Sequence, residues 1–176
     1  MSGHNKWSKI KHKKATSDAQ KSKHFSKLSR LITVEVKRAE GDRNSASVRK
    51  VVEQAKAINM PNENIEKAIK RAEQSDTQEM ESVVYEAYGP EGVAVVIEGL
   101  TDNRNRTAAE IKSILSKHSM ELAQPGSALW AFERTEEGYK TTTPTNLTNE
   151  AKEKLSVILD NLENNDDVQA TYNNAE

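Results

Sequence analysis

Eleven cationic side chains fall within residues 1–38, namely Lys6, Lys9, Lys11, Lys13, Lys14, Lys21, Lys23, Lys27, Arg30, Lys37 and Arg38, opposed only by Asp18 and Glu35. Lysines neutralise phosphates as point charges and release condensed counterions, and Trp7, set among them, offers a ring face on which an unpaired base can stack. A solvated helix face usually mixes both signs, and this bias is too strong for one. The expected nucleic-acid contacts are Lys6, Trp7, Lys9, Lys11, His12, Lys13, Lys14, Lys21, Lys23, Lys27 and Arg30. A second cluster is Thr101-Asp102-Asn103-Arg104-Asn105-Arg106-Thr107, where a buried strand is expected to hand over to a helix. Two arginines at a helix N-terminus face like-signed partial charge, so an anion should lie nearby, held by Arg104 and Arg106 with Asn103 and Asn105 as further donors. The competing reading has Asp102 capping the helix and pairing with Arg106 four residues on.

The charge is divided along the chain. Residues 1–71 carry 18 Lys/Arg against 7 Asp/Glu, net +11, and residues 72–176 carry 8 against 20, net −12. A basic half of this strength is expected to meet a polyanion, and the acidic half can orient or shield that contact. There is no cysteine, which removes disulfides, thiolate metal sites and cysteine nucleophiles together. His4, His12, His24 and His118 lack the spacing of a zinc pair, so no metal site is expected. Gly-x-Ser-x-Gly, Gly-x-x-x-x-Gly-Lys-Ser/Thr and Gly-x-Gly-x-x-Gly are absent, and the acidic pairs Glu136-Glu137 and Asp166-Asp167 fall in turns, where they read as solvated charge. The expectation is a non-enzyme without cofactor or small-molecule substrate. No apolar run is long enough for a membrane span, which together with the lack of cysteine suggests a soluble, cytoplasmic chain.

Elements that would position these residues follow from periodicity. Helices are expected over 17–41 (Phe25, Leu28, Leu31, Ile32, Val36), around Val48 to Ile58, and from Pro61 through Ala72. Residues 1–72 then form a basic arm plus a three-helix domain, and 73–82 a polar linker. Beyond it, alternation at 83–88, the run 93–97, a helix at 107–118, strands at 128–132 and 139–143, a helix at 149–163 and a strand at 168–172 give the order ββαββαβ. That order predicts an α+β class, a ferredoxin-like antiparallel-sheet sandwich with helices on one face, over 83–176.

Gly3-His4-x-Lys6-Trp7-x-x-Ile10-Lys11-His12-x-Lys14-Ala15, Asn59-Met60-Pro61, Tyr85-Glu86-x-Tyr88-Gly89-Pro90-x-Gly92, Thr101-Asp102-Asn103-Arg104-Asn105-Arg106-Thr107 and Asp166-Asp167-Val168-Gln169 together resemble the YebC/PmpR family. The resemblance implies a basic N-terminal helical domain, α/β lobes and no catalytic residues. It also implies a binding function, either as a DNA-binding transcriptional regulator or as a translation factor at the ribosome that eases synthesis of proline runs. Members usually carry a third α/β lobe before the final strand, helix and strand, and here a short turn at 133–140 stands in its place. The expected partner is therefore a nucleic acid, duplex DNA or ribosomal RNA, with the ribosome as a possible assembly.

Overall fold

The computed structural model describes residues 18–74, 79–136 and 138–176. Lys6, Trp7, Lys9, Lys11, His12, Lys13 and Lys14 lie outside the described residues. The chain divides between Met80 and Glu81 into two compact units.

The first unit contains α1 (Asp18–Arg38), α2 (Ala46–Ala57) and α3 (Asn62–Glu73). Leu28, Ile32 and Val36, spaced by four, bring one stripe of α1 into the interior, where Val48, Val51 and Ala55 of α2 and Ile65, Ala68 and Ile69 of α3 are also buried. Helix α1 ends where Gly41, at φ +86°, donates its N–H to Val36 O at 2.9 Å, a left-handed cap that glycine adopts without strain. Ser45 Oγ caps α2 by accepting the Val48 N–H. Pro61 stands immediately before α3, where its missing N–H costs nothing. The buried Thr33 hydroxyl donates to Ala68 O at 2.9 Å and so ties α1 to α3.

In the second unit, β1 (Glu81–Tyr88) and β5 (Val168–Asn173) flank β2 (Ala94–Thr101) in an antiparallel sheet of order β1-β2-β5. Strand β1 starts inside the segment expected to be linker. One face of the sheet carries α4 (Arg104–Ser116) and α5 (Asn149–Glu163). Val95 and Ile97 pack there with Ile111, Leu115, Leu155, Ile158 and Leu162. On the other face, Ala94 meets Ala128 and Ala131, while Val96 meets Ala170 and Tyr172. Covered on both sides, β2 has no polar face to show, which explains its continuous apolar run.

The element order and α+β class are those expected, but β3 (Phe132–Thr135) and β4 (Gly138–Thr141) form their own two-stranded sheet on the outer face. Glu133 pairs with Lys140 in that hairpin. Residues 129–131, expected as strand, are a 3-10 turn, because the buried carboxylate of Glu86 takes the N–H groups of Ala128 (2.6 Å) and Leu129 (3.0 Å) that a ladder would need. The hairpin is held by aromatic packing. Tyr139 meets Tyr172 edge-on with centroids 5.3 Å apart, and Arg134 lies 4.6 Å over the Tyr139 ring while pairing with Glu98. A Cβ on Gly138 would sit 2.1 Å from Tyr172 Oη, so only glycine lets the two approach.

Tyr172 Oη donates to Glu98 Oε2 at 2.9 Å, and burial, followed by the Glu98 charge, pushes its pKa well above the ordinary 10.0. Because the folded value is the higher one, the stabilisation is complete below about pH 10 and falls away as the unfolded phenol ionises above it. The expected result is a melting temperature that drops above pH 10 and drops less steeply in Tyr172→Phe. Parallel profiles for both proteins would show that this phenol is not responsible.

Candidate nucleic-acid interface

Asn103, in extended conformation, caps α4 by accepting the Arg106 N–H at 3.1 Å, so the helix begins at Arg104, three residues before its expected start. Both arginines therefore occupy the first turn. Arg106 Nη2 donates to Asp102 Oδ1 and to Asp167 Oδ2, each at 2.8 Å, and Thr101 Oγ1 lies at 3.4 Å. These bonds, that to Asp167 foremost, raise the guanidinium pKa above its ordinary value. The anion that a helix N-terminus with two arginines demands is thus partly supplied by the chain itself. The pairing with Asp102 is the local alternative anticipated from spacing, whereas the cap is Asn103 and not Asp102.

Asp167 overturns the expectation of a solvated acidic turn, because it is only 3% exposed. Its Oδ2 accepts from Thr107 Oγ1 at 2.7 Å and Thr101 Oγ1 at 3.1 Å, and both threonines are fully buried. Thr101 Oγ1 also accepts the Asn103 N–H at 2.9 Å. The end of β2, the start of α4 and the start of β5 are thereby locked by one carboxylate, with charge and hydrogen bonding both satisfied. Its signal in the sequence was the Asp166-Asp167-Val168-Gln169 motif, which spacing alone could not tie to a segment 60 residues away.

Arg104 is placed differently. Its side chain is 66% exposed and reaches Glu81 Oε2 at a loose 3.7 Å, while its carbonyl accepts the Tyr85 hydroxyl at 3.2 Å. Burial pushes the Tyr85 phenol pKa up, which keeps that donor protonated. Asn105 is exposed beside it. Arg104 and Asn105 therefore keep solvent access, and Asn103 and Arg106 are committed to the cap and the Asp167 lock.

On α1, Lys23, Lys27 and Arg30 share a face by their spacing. Lys21 and Lys23 are exposed and Arg30 is half-buried. Lys27 is 6% exposed, which makes it the least accessible of the expected contacts on this helix. A groove in the same unit, between α2 and α3, has Val48 and Ile65 in its floor and Arg43, Arg49 and Lys56 on its walls, alternating with Glu53 and Glu66. Among the described residues no helix is long and apolar enough to cross a membrane, and no three His, Asp or Glu side chains gather as a metal site.

These units define a two-part α+β protein, a helical basic unit joined in sequence to an acidic three-stranded sandwich. The chain matches the TACO1/YebC protein N-terminal domain over residues 5–75 and the TACO1/YebC second and third domain over residues 80–139. It belongs to the TACO1/YebC family. Two similar relatives are named "Probable transcriptional regulatory protein". That from Finegoldia magna is 51% identical over 136 residues, covering 76% of this chain and 56% of its own, and that from Thermosipho africanus is 50% identical over 136 residues, covering 76% and 54%. The chain spans about half the length of the curated relatives it matches. A solved structure, a conserved hypothetical protein from Aquifex aeolicus, superposes with a TM-score of 0.84 at 31% identity, covering 95% of each chain.

Proposed function

We propose that this protein is a nucleic-acid-binding regulator of gene expression, acting as a DNA-binding transcriptional regulator of the YebC type without catalysis of its own. The observation that carries the proposal is the net +11 of residues 1–71 beside the net −12 of residues 72–176. Such a chain is attracted to a polyanion by one end and turned from it at the other. Exposed Lys21 and Lys23 extend the basic surface along α1, and Arg104 with Asn105 adds a contact on the second unit. The names of the Finegoldia and Thermosipho relatives point the same way. The pairing of Glu133 with Lys140 across a tight hairpin supports reading 133–140 as the place where longer relatives insert a further lobe, so binding here rests on two units.

A second reading is favoured by the lysine-rich character of the basic surface. Lysines give charge without base-edge discrimination, and Arg106, the best-placed fork in the second unit, is held by Asp102 and Asp167. A surface of that kind suits folded ribosomal RNA, with its irregular phosphate clusters and splayed bases, and makes the protein a translation factor. Co-sedimentation with ribosomes in the presence of competing duplex DNA separates the two. Release onto the duplex supports the transcriptional reading, retention that depends on Lys9, Lys11, Lys13 and Lys14 supports the ribosomal one, and binding to neither defeats both.

Arg104→Ala is expected to lower the salt slope of binding by about 0.9, one phosphate contact, while leaving stability within about 0.5 kcal/mol, since the exposed pair with Glu81 contributes little. A loss of stability with an unchanged slope would make the residue structural.

A further inference from the structure

Four large hydrophobic side chains are exposed among the described residues, and three of them, Val84 (42%), Tyr88 (37%) and Trp130 (57%), belong to β1 and the turn that packs beside it. Val84 and Tyr88 point to the same side of β1 by strand alternation, as does Glu86 between them. Glu86 clamps the turn through the N–H groups of Gly126, Ala128 and Leu129, which fixes the backbone from which Trp130 projects. Trp130 Nε1 donates to Tyr88 Oη at 3.0 Å, and that hydroxyl donates in turn to Ser127 O. The polar edges of both rings are thus satisfied within the protein, while much of each side chain stays open to solvent. Such pre-set aromatic anchors lose little entropy when covered, which is what interface hot spots require.

Charge decides what can cover them. Residues 81–176 carry 8 Lys/Arg against 17 Asp/Glu, net −9, and Arg106 and Arg134 are already held by carboxylates. Away from the exposed Arg104, this balance favours a cationic partner over a polyanion. A guanidinium over a Trp face within a negative field is favourable, and Arg134 over Tyr139 makes that contact inside the same unit. Strand β1 is also a sheet edge. The Glu86 carbonyl accepts the Ala123 N–H at 2.8 Å on the outer side, and Val84, two residues earlier, presents its backbone groups in that same direction. Ala87 also bridges Leu122, so residues 122–123 cover the edge beside Tyr88, and an extended segment can add alongside β1 only at the stretch around Val84, next to the exposed Tyr88 and Trp130.

We propose that the Val84–Tyr88–Trp130 face docks a basic, extended segment of another protein, with an Arg or Lys side chain laid on the Trp130 ring. The second unit would then recruit a protein while the first holds nucleic acid. A synthetic peptide alternating Arg and Val, titrated against full-length Trp7→Phe protein so that Trp130 is the only tryptophan, provides the test. Saturable change in Trp130 fluorescence is expected, weakened about tenfold by a Trp130→Leu substitution as read by peptide anisotropy, and absent with a Glu-Val peptide. Val84→Ser, a second variant at an exposed site that leaves the charge unchanged, should weaken the same peptide by removing an apolar contact, and a thermal melt of each variant confirms folding. Equal affinity in the Trp130 variant or no saturation would overturn the proposal.

Discussion

Asp167→Ala is expected to destabilise the second unit by about 3 kcal/mol, more than any other single change at the 101–107 junction. The carboxylate is buried and accepts from Thr101 Oγ1, Thr107 Oγ1 and Arg106 Nη2. Its removal leaves two hydroxyls with no exposure in a cavity and a guanidinium turned toward an empty site. Buried polar groups left unsatisfied cost about 1–3 kcal/mol each. Part of that is recovered, since Thr107 Oγ1 also has Asn103 O at 3.1 Å and Arg106 retains Asp102, which is why the estimate stays at the low end of the summed range. Asp167→Asn keeps the shape and an acceptor, so it should cost about half as much. Urea unfolding followed by Trp130 fluorescence in the Trp7→Phe background reports on this unit, and a midpoint for Asp167→Ala equal to the parent would remove the lock from the account.

Glu86→Ala should cost about 3–5 kcal/mol, because three backbone donors lose their acceptor at once. Gly126 N donates to Oε1 at 2.5 Å, and Ala128 N (2.6 Å) and Leu129 N (3.0 Å) donate to Oε2. Ala128 is fully buried, so water cannot replace the lost bond there. The 3-10 turn Leu129–Ala131 would then be free to move, and Trp130 emission should shift with it. Glu86→Gln retains one oxygen, enough for the Ala128 and Leu129 bonds, and turns an amide donor toward Gly126, so about 1–2 kcal/mol is expected. Comparable stability of Glu86→Ala and Glu86→Gln would mean that the turn is held by its own packing instead.

Helix and strand positions were legible where periodicity was driven by burial, as at Leu28, Ile32 and Val36 or at Val95 and Ile97, because solvent exclusion writes itself into residue spacing. Partners distant in sequence were not. Asp167 sits on a polar-looking stretch and Glu86 at an alternate position of a strand, and only the tertiary fold brings Thr107 to one and the 126–129 backbone to the other. The same limit explains why the strand expected at 128–132 begins only at Phe132: Leu-Trp-Ala-Phe has strand character, and a carboxylate from β1 overrides it over 129–131 by claiming the N–H groups. Asn103 rather than Asp102 became the α4 cap for a local reason. Thr101 Oγ1 accepts the Asn103 N–H, fixing that residue in extended conformation, so its own side chain meets the Arg106 N–H. Lys27 shows the converse, a charged side chain that the fold leaves only 6% exposed.

The central claim is that the basic first unit binds nucleic acid mainly through charge. Binding to a labelled duplex across a range of salt concentrations, for the parent and for a Lys9/Lys11/Lys13/Lys14→Ala variant, tests it most directly. If about six phosphates are neutralised, log K should fall with log[salt] at a slope near −5, and the variant should flatten it to about −2. A parent slope near zero, or a variant slope equal to the parent's, would contradict the account.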